Sequence, residues 1–213
     1  MCRLLFVKTS DAFDPVVYLR PFAALSKNSK EFQGHGWGFA AFRDGQWDVY
    51  KNICPVWEDD LEQFKPANLL VAHARSAFRD EGIVVENNMP FYDGSYLFIF
   101  NGELQGVKIK AEGRIGAEKV FNFIKRFYHN DMNAAIKKAI PIIKKRSRYV
   151  RAMNFMLVSG KKAHVASVFS EDPDYFTLWS KEWVNGRIIC SDPFPGEDDW
   201  KPIANEAVEE IVL

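Results

Sequence analysis

The second residue of this 213-residue chain is a cysteine, in the opening "MCRLLF". Aminopeptidases remove Met1 when the next residue is small, and cysteine is small enough. The mature chain would then begin at Cys2, with a thiol and a free α-amine on one residue. The thiolate is the nucleophile, and a free cysteine titrates near ~8.5. An α-amine titrates near ~7.7–8.0, low enough to be partly neutral at pH 7. A terminal cysteine therefore carries its own base, directly or through one water. The chemistry expected is attack on a carbonyl without a histidine partner. The plainer reading is a cysteine that merely precedes a buried first strand.

Acyl transfer also needs donors for the oxyanion, and losing one costs roughly 10²–10³ in rate. "FNGEL" offers two: Asn101 follows an apolar run and has a side-chain amide, while Gly102 allows close backbone approach. Against this stands an ordinary Asn-Gly turn at a strand end. "VAHARSAF" sets Arg75 just after an apolar run, where a guanidinium can fork onto a carboxylate. Against this stands a surface arginine snorkelling from a strand end.

Other chemistries find no support. There is no G-x-S-x-G, no P-loop and no dinucleotide-binding glycine spacing. His35, His73, His129 and His164 are scattered, without zinc-ligand spacing. No metal and no cofactor is expected. The run "KKAIPIIKKRSRYVR" interleaves its cations with helix-core isoleucines, which reads as a solvated face. Lys+Arg 28 balances Asp+Glu 28, so no net field draws in nucleic acid or an acidic membrane. Cys2, Cys54 and Cys190 are an odd count at wide spacing, which suits a reducing cytoplasm rather than a disulfide framework. Leu4–Val7 is too short an apolar run for a signal h-region or a membrane span.

The elements that must position these residues are legible as periodicity. Residues 2–8 read as a buried strand. Asp14-Pro15 opens a helix ending near Ser26. "KNSKEFQGHG" is a polar loop, and "GWGFAAFRDGQWDVYK" is a hairpin about Asp44-Gly45. "WEDDLEQF" suggests a short acidic helix. "NLLVAHARSAF" and "GSYLFIFNGEL" each read as a strand, the second ending at Asn101-Gly102. Ala117, Val120, Phe121, Ile124, Phe127 and Tyr128 share one helical face. Asp131 caps a second helix, which Pro141 should kink or end. From Val150 the strand pattern returns: "RAMNFMLVSG", "KKAHVASVF", "YFTLWS", "RIICSD" and "AVEEIVL". Strands, two helices, then strands make one α+β domain over residues 1–213, with helices packed on antiparallel sheet.

Taken together, "MCRLLF", "GWGF", "VAHARSAF", "ENNMPF" and "FNGEL" resemble, in order and spacing, the class II glutamine amidotransferases, which are N-terminal-nucleophile hydrolases. The stand-alone branch, which includes the γ-glutamyl hydrolase of ergothioneine synthesis, is the most similar. The resemblance implies a four-layer αββα sandwich. Cys2 resembles the family nucleophile, Arg75 the arginine that grips the substrate α-carboxylate, and Asn101 with Gly102 the oxyanion pair. It also implies a small amide substrate, glutamine or a γ-glutamyl compound, and a separate ammonia-using synthase as a partner. A homo-oligomer is allowed. The departures concern amino-acid recognition. Where the family has an Asp for the substrate α-ammonium, this chain has Gly116, followed by Ala117, with Glu118 nearby as a helix cap or a substitute. Phe100 and Met89 stand where histidines are usual, and Phe78 and Arg79 where small or polar residues are. Two rivals to a glutaminase follow: a hydrolase of an amide lacking a free α-ammonium, and a non-catalytic scaffold that keeps Met1.

Overall fold

A computed structural model describes residues 1–77 and 81–213 of the chain. Its strands, in chain order, are β1 (Arg3–Phe13), β2 (Trp37–Arg43), β3 (Gln46–Asn52), β4 (Ala67–Ala74), β5 (Phe91–Tyr92), β6 (Leu97–Gln105), β7 (Tyr149–Val158), β8 (Lys162–Ser167), β9 (Trp179–Trp183), β10 (Gly186–Cys190), β11 (Lys201–Pro202) and β12 (Ala207–Val212). Its helices are α1 (Val16–Lys27), α2 (Gly116–Lys125), α3 (Met132–Lys145) and the short α4 (Pro173–Phe176). The chain divides into two compact units, Met1–Pro90 with Thr177–Ile203, and Phe91–Phe176 with Ala204–Leu213.

The first unit holds an antiparallel sheet in the order β11-β9-β10-β1-β4-β2-β3. The N-terminal strand is thus the central one, flanked on both sides. Alternation along the strands sends Leu5 and Val7, Phe39 and Ala41, and Leu70 and Ala72 to one face. Leu19, Phe22 and Ala23 of α1 meet them there. The alternate residues Leu4, Phe6 and Val71 are buried as well, so Leu4–Val7 of β1 is a continuous apolar run rather than an alternating one.

The second unit pairs its strands in the order β12-β8-β7-β6-β5, all antiparallel. Phe98 of β6 stacks on Phe121 of α2 at 4.9 Å between ring centroids, so that face of β6 meets the helix. Asp131 caps α3 as the sequence predicts, its carboxylate accepting from Ala134 N at 2.9 Å.

Three local readings change. α3 runs through Pro141 to Lys145. Pro141 is exposed, so the carbonyl its missing N–H would have served can turn to solvent. "YFTLWS" begins as helix α4, and its strand starts only at Trp179. "WEDDLEQF" forms two single 3₁₀ turns, Val56–Glu58 and Leu61–Gln63. No helix of the described residues is long and apolar enough to cross a membrane.

Candidate active site

Cys2 directly precedes the central strand, and its neighbour across the sheet is the end of β4, where Arg3 pairs with Ala74. That register brings Arg75 and Ser76 beside the thiol. Cys2 Sγ lies 3.6 Å from Ser76 O and accepts from Ser76 N at 3.5 Å. The thiol is buried, 9% exposed. Burial pushes its pKa up. The Met1 ammonium, the Ser76 N–H and the Arg75 guanidinium pull it back, Glu31 opposes them, and the net direction is up. The other two thiols are also free: burial pushes Cys190 up to about 12, and burial with Asp59 pushes Cys54 up to about 11.

Arg75 is 4% exposed, not a surface residue. Its Nη2 donates to Gly82 O at 2.9 Å and its Nη1 to Asn88 Oδ1 at 3.4 Å. Its peptide N–H donates to Gly36 O at 2.9 Å. Among the described residues no carboxylate pairs with it. Burial lowers its pKa, with the Cys2 thiol, when ionised, acting the other way. A buried guanidinium held only by neutral oxygens still calls for an anion.

The support behind Arg75 joins three of the sequence stretches singled out above. Gly36 has φ +100°, and a Cβ there would come within 2.2 Å of Asn88 Nδ2. Only glycine lets Asn88 lie across it. Asn88 Nδ2 in turn donates to Asn52 O at 2.7 Å. Asp59 anchors the far end: its Oδ2 accepts from Trp37 Nε1 at 2.7 Å, Tyr50 OH at 2.8 Å and Asn52 Nδ2 at 2.9 Å. Burial pushes the Asp59 carboxyl up, but these donors together hold it below its ordinary value. "GHGWGF" and "NNMPF" are thus two sides of one clamp on the arginine.

The polar loop between α1 and β2 folds back over the start of the chain. Gln33 is fully buried. Its Nε2 donates to Met1 O at 2.5 Å and to Glu31 O at 2.7 Å. The Met1 ammonium forms an ion pair with the Glu31 carboxylate. His35 Nδ1 accepts from Ala77 N at 2.8 Å, so the same loop also braces the segment after Arg75.

Asn101 and Gly102 lie in the second unit, within β6 rather than at its end. They pair with Asn154 and Met153 of β7, and the ladder continues to Gln105. The dipeptide is therefore not a turn. A Cβ on Gly102 would stand 2.2 Å from Ala152 O, which is why the strand needs glycine there. Asn101 is fully buried, and neither atom of its amide has a hydrogen-bond partner among the described residues. By alternation it shares a face with Leu97 and Ile99, opposite to the Phe98 face that meets α2.

Gly116 is the first residue of α2, exposed, with open space where a Cβ would project. Glu118 accepts from Arg114 N at 2.6 Å and pairs with the Arg114 guanidinium, closing the turn that enters the helix. Phe100 and Met89 are buried. Phe78 and Arg79 lie outside the described residues.

The structure thus brings Cys2 and Arg75 together in one unit, and sets Asn101, Gly102, Gly116 and Glu118 in the other. The sequence reading missed the parts played by Glu31, Gln33, Asn52, Asp59 and Asn88. Their signal is weak because side chains in loops and at strand ends follow no period.

No protein-family profile matches the chain, and no curated protein matches it by sequence. Solved structures do match. A class-II glutamine aminotransferase domain protein from Silicibacter pomeroyi aligns with TM-score 0.65 at 14% identity, over 99% of each chain. A predicted glutamine amidotransferase from Pseudomonas aeruginosa gives 0.59 at 13%, over 100% of this chain and 99% of that one. Glutamine phosphoribosylpyrophosphate amidotransferase from Bacillus subtilis gives 0.63 at 16%, over 89% of this chain and 42% of its own, so this chain spans less than half of that enzyme. The likeness shows the fold alone: two antiparallel sheets with their helices, an α+β arrangement similar to that of these glutamine amidotransferase structures.

Proposed function

We propose that this protein is an N-terminal cysteine amidohydrolase acting on a γ-glutamyl-type amide, in the stand-alone branch that its motifs resemble. The observation that carries the reading is a buried thiol at the head of the central strand, beside a buried arginine that has no carboxylate partner among the described residues. Arg75 takes the substrate α-carboxylate. With Met1 removed, the Cys2 α-amine accepts the thiol proton, and sulfur attacks the amide carbon. Asn101 and the Gly102 N–H are assigned to the oxyanion, and the unpartnered Asn101 amide supports that assignment. The C–N bond breaks as the proton passes to the leaving amine or ammonia. Water then attacks the thioester, giving the free acid and restoring the thiol. The reaction as written uses no metal and no cofactor. Ammonia, where it is the product, goes to solvent or to a separate synthase. The cytoplasm, where thiols stay reduced, is the place we assign to it.

A second reading, hydrolysis of an amide without a free α-ammonium, is favoured by one observation. The start of α2 offers Gly116, and Glu118 is committed to Arg114. The test of the main reading is mass spectrometry of protein shown to lack Met1, after incubation with 6-diazo-5-oxo-L-norleucine, an electrophile that mimics glutamine. A single adduct on Cys2 is expected, and none on Cys2→Ala. Labelled protein with the adduct elsewhere, or unlabelled protein, overturns the mechanism.

A further inference from the structure

The second unit holds a cavity of about 340 Å³ that contains none of the residues assigned above. The segment between β6 and α2 lines it with Lys108 and Lys110, and the ends of α2 and α3 line it with Phe123, Arg126, Ile142 and Arg146. Four of these side chains are cationic, and among the described residues no carboxylate lines the cavity or pairs with any of the four. Hydrogen bonds clip the walls together. Lys108 N donates to Arg146 O at 2.8 Å, and Arg126 Nη1 donates to Lys110 O at 2.5 Å. The Arg126 guanidinium lies 5.7 Å from the centre of the Phe123 ring. Cations at helix C-termini ordinarily answer the macrodipole and its open carbonyls. Here the main chain already closes those ends. Arg146 N donates to Ile142 O at 2.9 Å and Ser147 N to Lys144 O at 3.2 Å, while Phe127 N and Tyr128 N serve Ile124 O and Lys125 O at 3.0 Å. Lys108 and Lys110 belong to no helix. Four like charges around one apolar-floored cavity repel one another, and an anion between them relieves that repulsion.

We propose that this cavity binds a small soluble phosphomonoester with a compact apolar body. A phosphomonoester brings close to two negative charges at pH 7 and three strong acceptor oxygens, enough to engage several cations at once. Arg126 and Arg146 can each fork onto it with parallel hydrogen bonds, and the lysines add point charge. Phe123 and Ile142 give the apolar body its floor. The volume is at the low end of small-ligand pockets, roughly 300–1,000 Å³, which limits the size of that body. The basic run "KKAIPIIKKRSRYVR" is therefore not wholly a solvated face: Lys137 lies outside the cavity, but Arg146 lines it. The inference is independent of Cys2 and of the amide chemistry.

The experiment is titration calorimetry of the full-length protein with phenyl phosphate. Saturable binding is expected, with a Kd of ~1 mM or tighter. Inorganic phosphate, which lacks the ring, should bind at least about fivefold more weakly. Arg126→Gln and Lys108→Gln, both at exposed positions, should each weaken phenyl phosphate by about threefold to tenfold. Lys137→Gln, which removes an exposed cation of α3 outside the cavity, should change its Kd by less than about twofold. Cys2→Ala should bind it unchanged, which separates this site from the amide mechanism. No saturable binding, or equal affinity for inorganic phosphate, overturns the inference. So does a loss in Lys137→Gln that equals the loss in Arg126→Gln, since the attraction would then be a general surface field. Binding to vesicles of phosphatidate in phosphatidylcholine without binding of phenyl phosphate overturns it in favour of a lipid surface.

Discussion

Each unit carries a pair of like buried residues on or just beyond adjacent strands, which differ in how fully they are partnered among the described residues. In the first unit Arg3 on β1 and Arg75 just past β4 are each 4% exposed. Arg3 donates to Ser191 O at 2.9 Å and pairs with Asp192 at 3.2 Å. Arg75 has neutral oxygens and, among the described residues, no carboxylate. In the second unit Asn154 and Asn101 face each other across β7 and β6, both fully buried. Asn154 donates to Phe176 O at 2.6 Å and accepts from Val168 N at 2.8 Å. Asn101 has no partner among the described residues. An unmade buried hydrogen bond costs about 1–3 kcal/mol, and the proposed function assigns the less satisfied member of each pair to the substrate. Its twin is structural.

The asparagine pair is the sharpest place to break this contrast. Asn101→Ala should cut kcat by about 10²–10³ if it holds the oxyanion. Its stability in urea should change by no more than about 1 kcal/mol, since no bond in the folded protein is lost. Asn154→Ala should do the reverse at equilibrium, losing about 2–4 kcal/mol by stranding a buried carbonyl and a buried N–H. If both variants lose stability equally, the distinction between them is wrong.

The arginine pair comes next. Arg75→Met should raise KM for the amide substrate by at least about tenfold, with unfolding unchanged or shifted upward, because the buried charge removed has no carboxylate partner among the described residues. Arg3→Met should lower stability by about 1–3 kcal/mol, a range held down by the half-exposed Asp192. Thermal melts of the two variants side by side make the comparison.

A smaller effect tests the support behind Arg75. Asp59→Asn should lower stability by about 1–2 kcal/mol at pH 7 and raise KM modestly, as Asn52 and then Asn88 loosen. Because the folded carboxyl titrates below its ordinary value, the unfolded chain binds more protons there. The stabilisation is therefore complete above about pH 3.9 and is lost as pH falls through the folded value. The gap between the melting curves of Asp59→Asn and the unmutated protein should close in that range.

The smallest effect concerns a histidine on β8. His164 on β8 is buried, and burial lowers its pKa, against the pull of Glu210 at 3.7 Å. The neutral ring is favoured in the folded protein, so its contribution is full above about pH 6.5 and declines as pH falls toward the folded value. His164→Gln should flatten the fall in melting temperature between pH 7 and 5.5, and an unchanged slope would remove His164 as its source.

Much of the molecule was decided by local pattern. The apolar run after Cys2, the alternation in the hairpin about Asp44-Gly45 and the helical face from Ala117 to Ile124 settled the α+β class, because burial imposes a period on any element that packs. The residue types at Cys2, Arg75, Asn101 and Gly102 are what the proposed chemistry is read from, because so few side chains can attack a carbonyl or hold an oxyanion. What the sequence could not express was partnership. That Arg75 is buried without a carboxylate and Asn101 sits inside a ladder without a partner for its amide, both among the described residues, and that Glu31 and Gln33 fold back on Met1, all depend on which strands and loops come together. Hydrogen-bond satisfaction is a property of three-dimensional neighbours, and these neighbours are separated by tens of residues with no period to announce them.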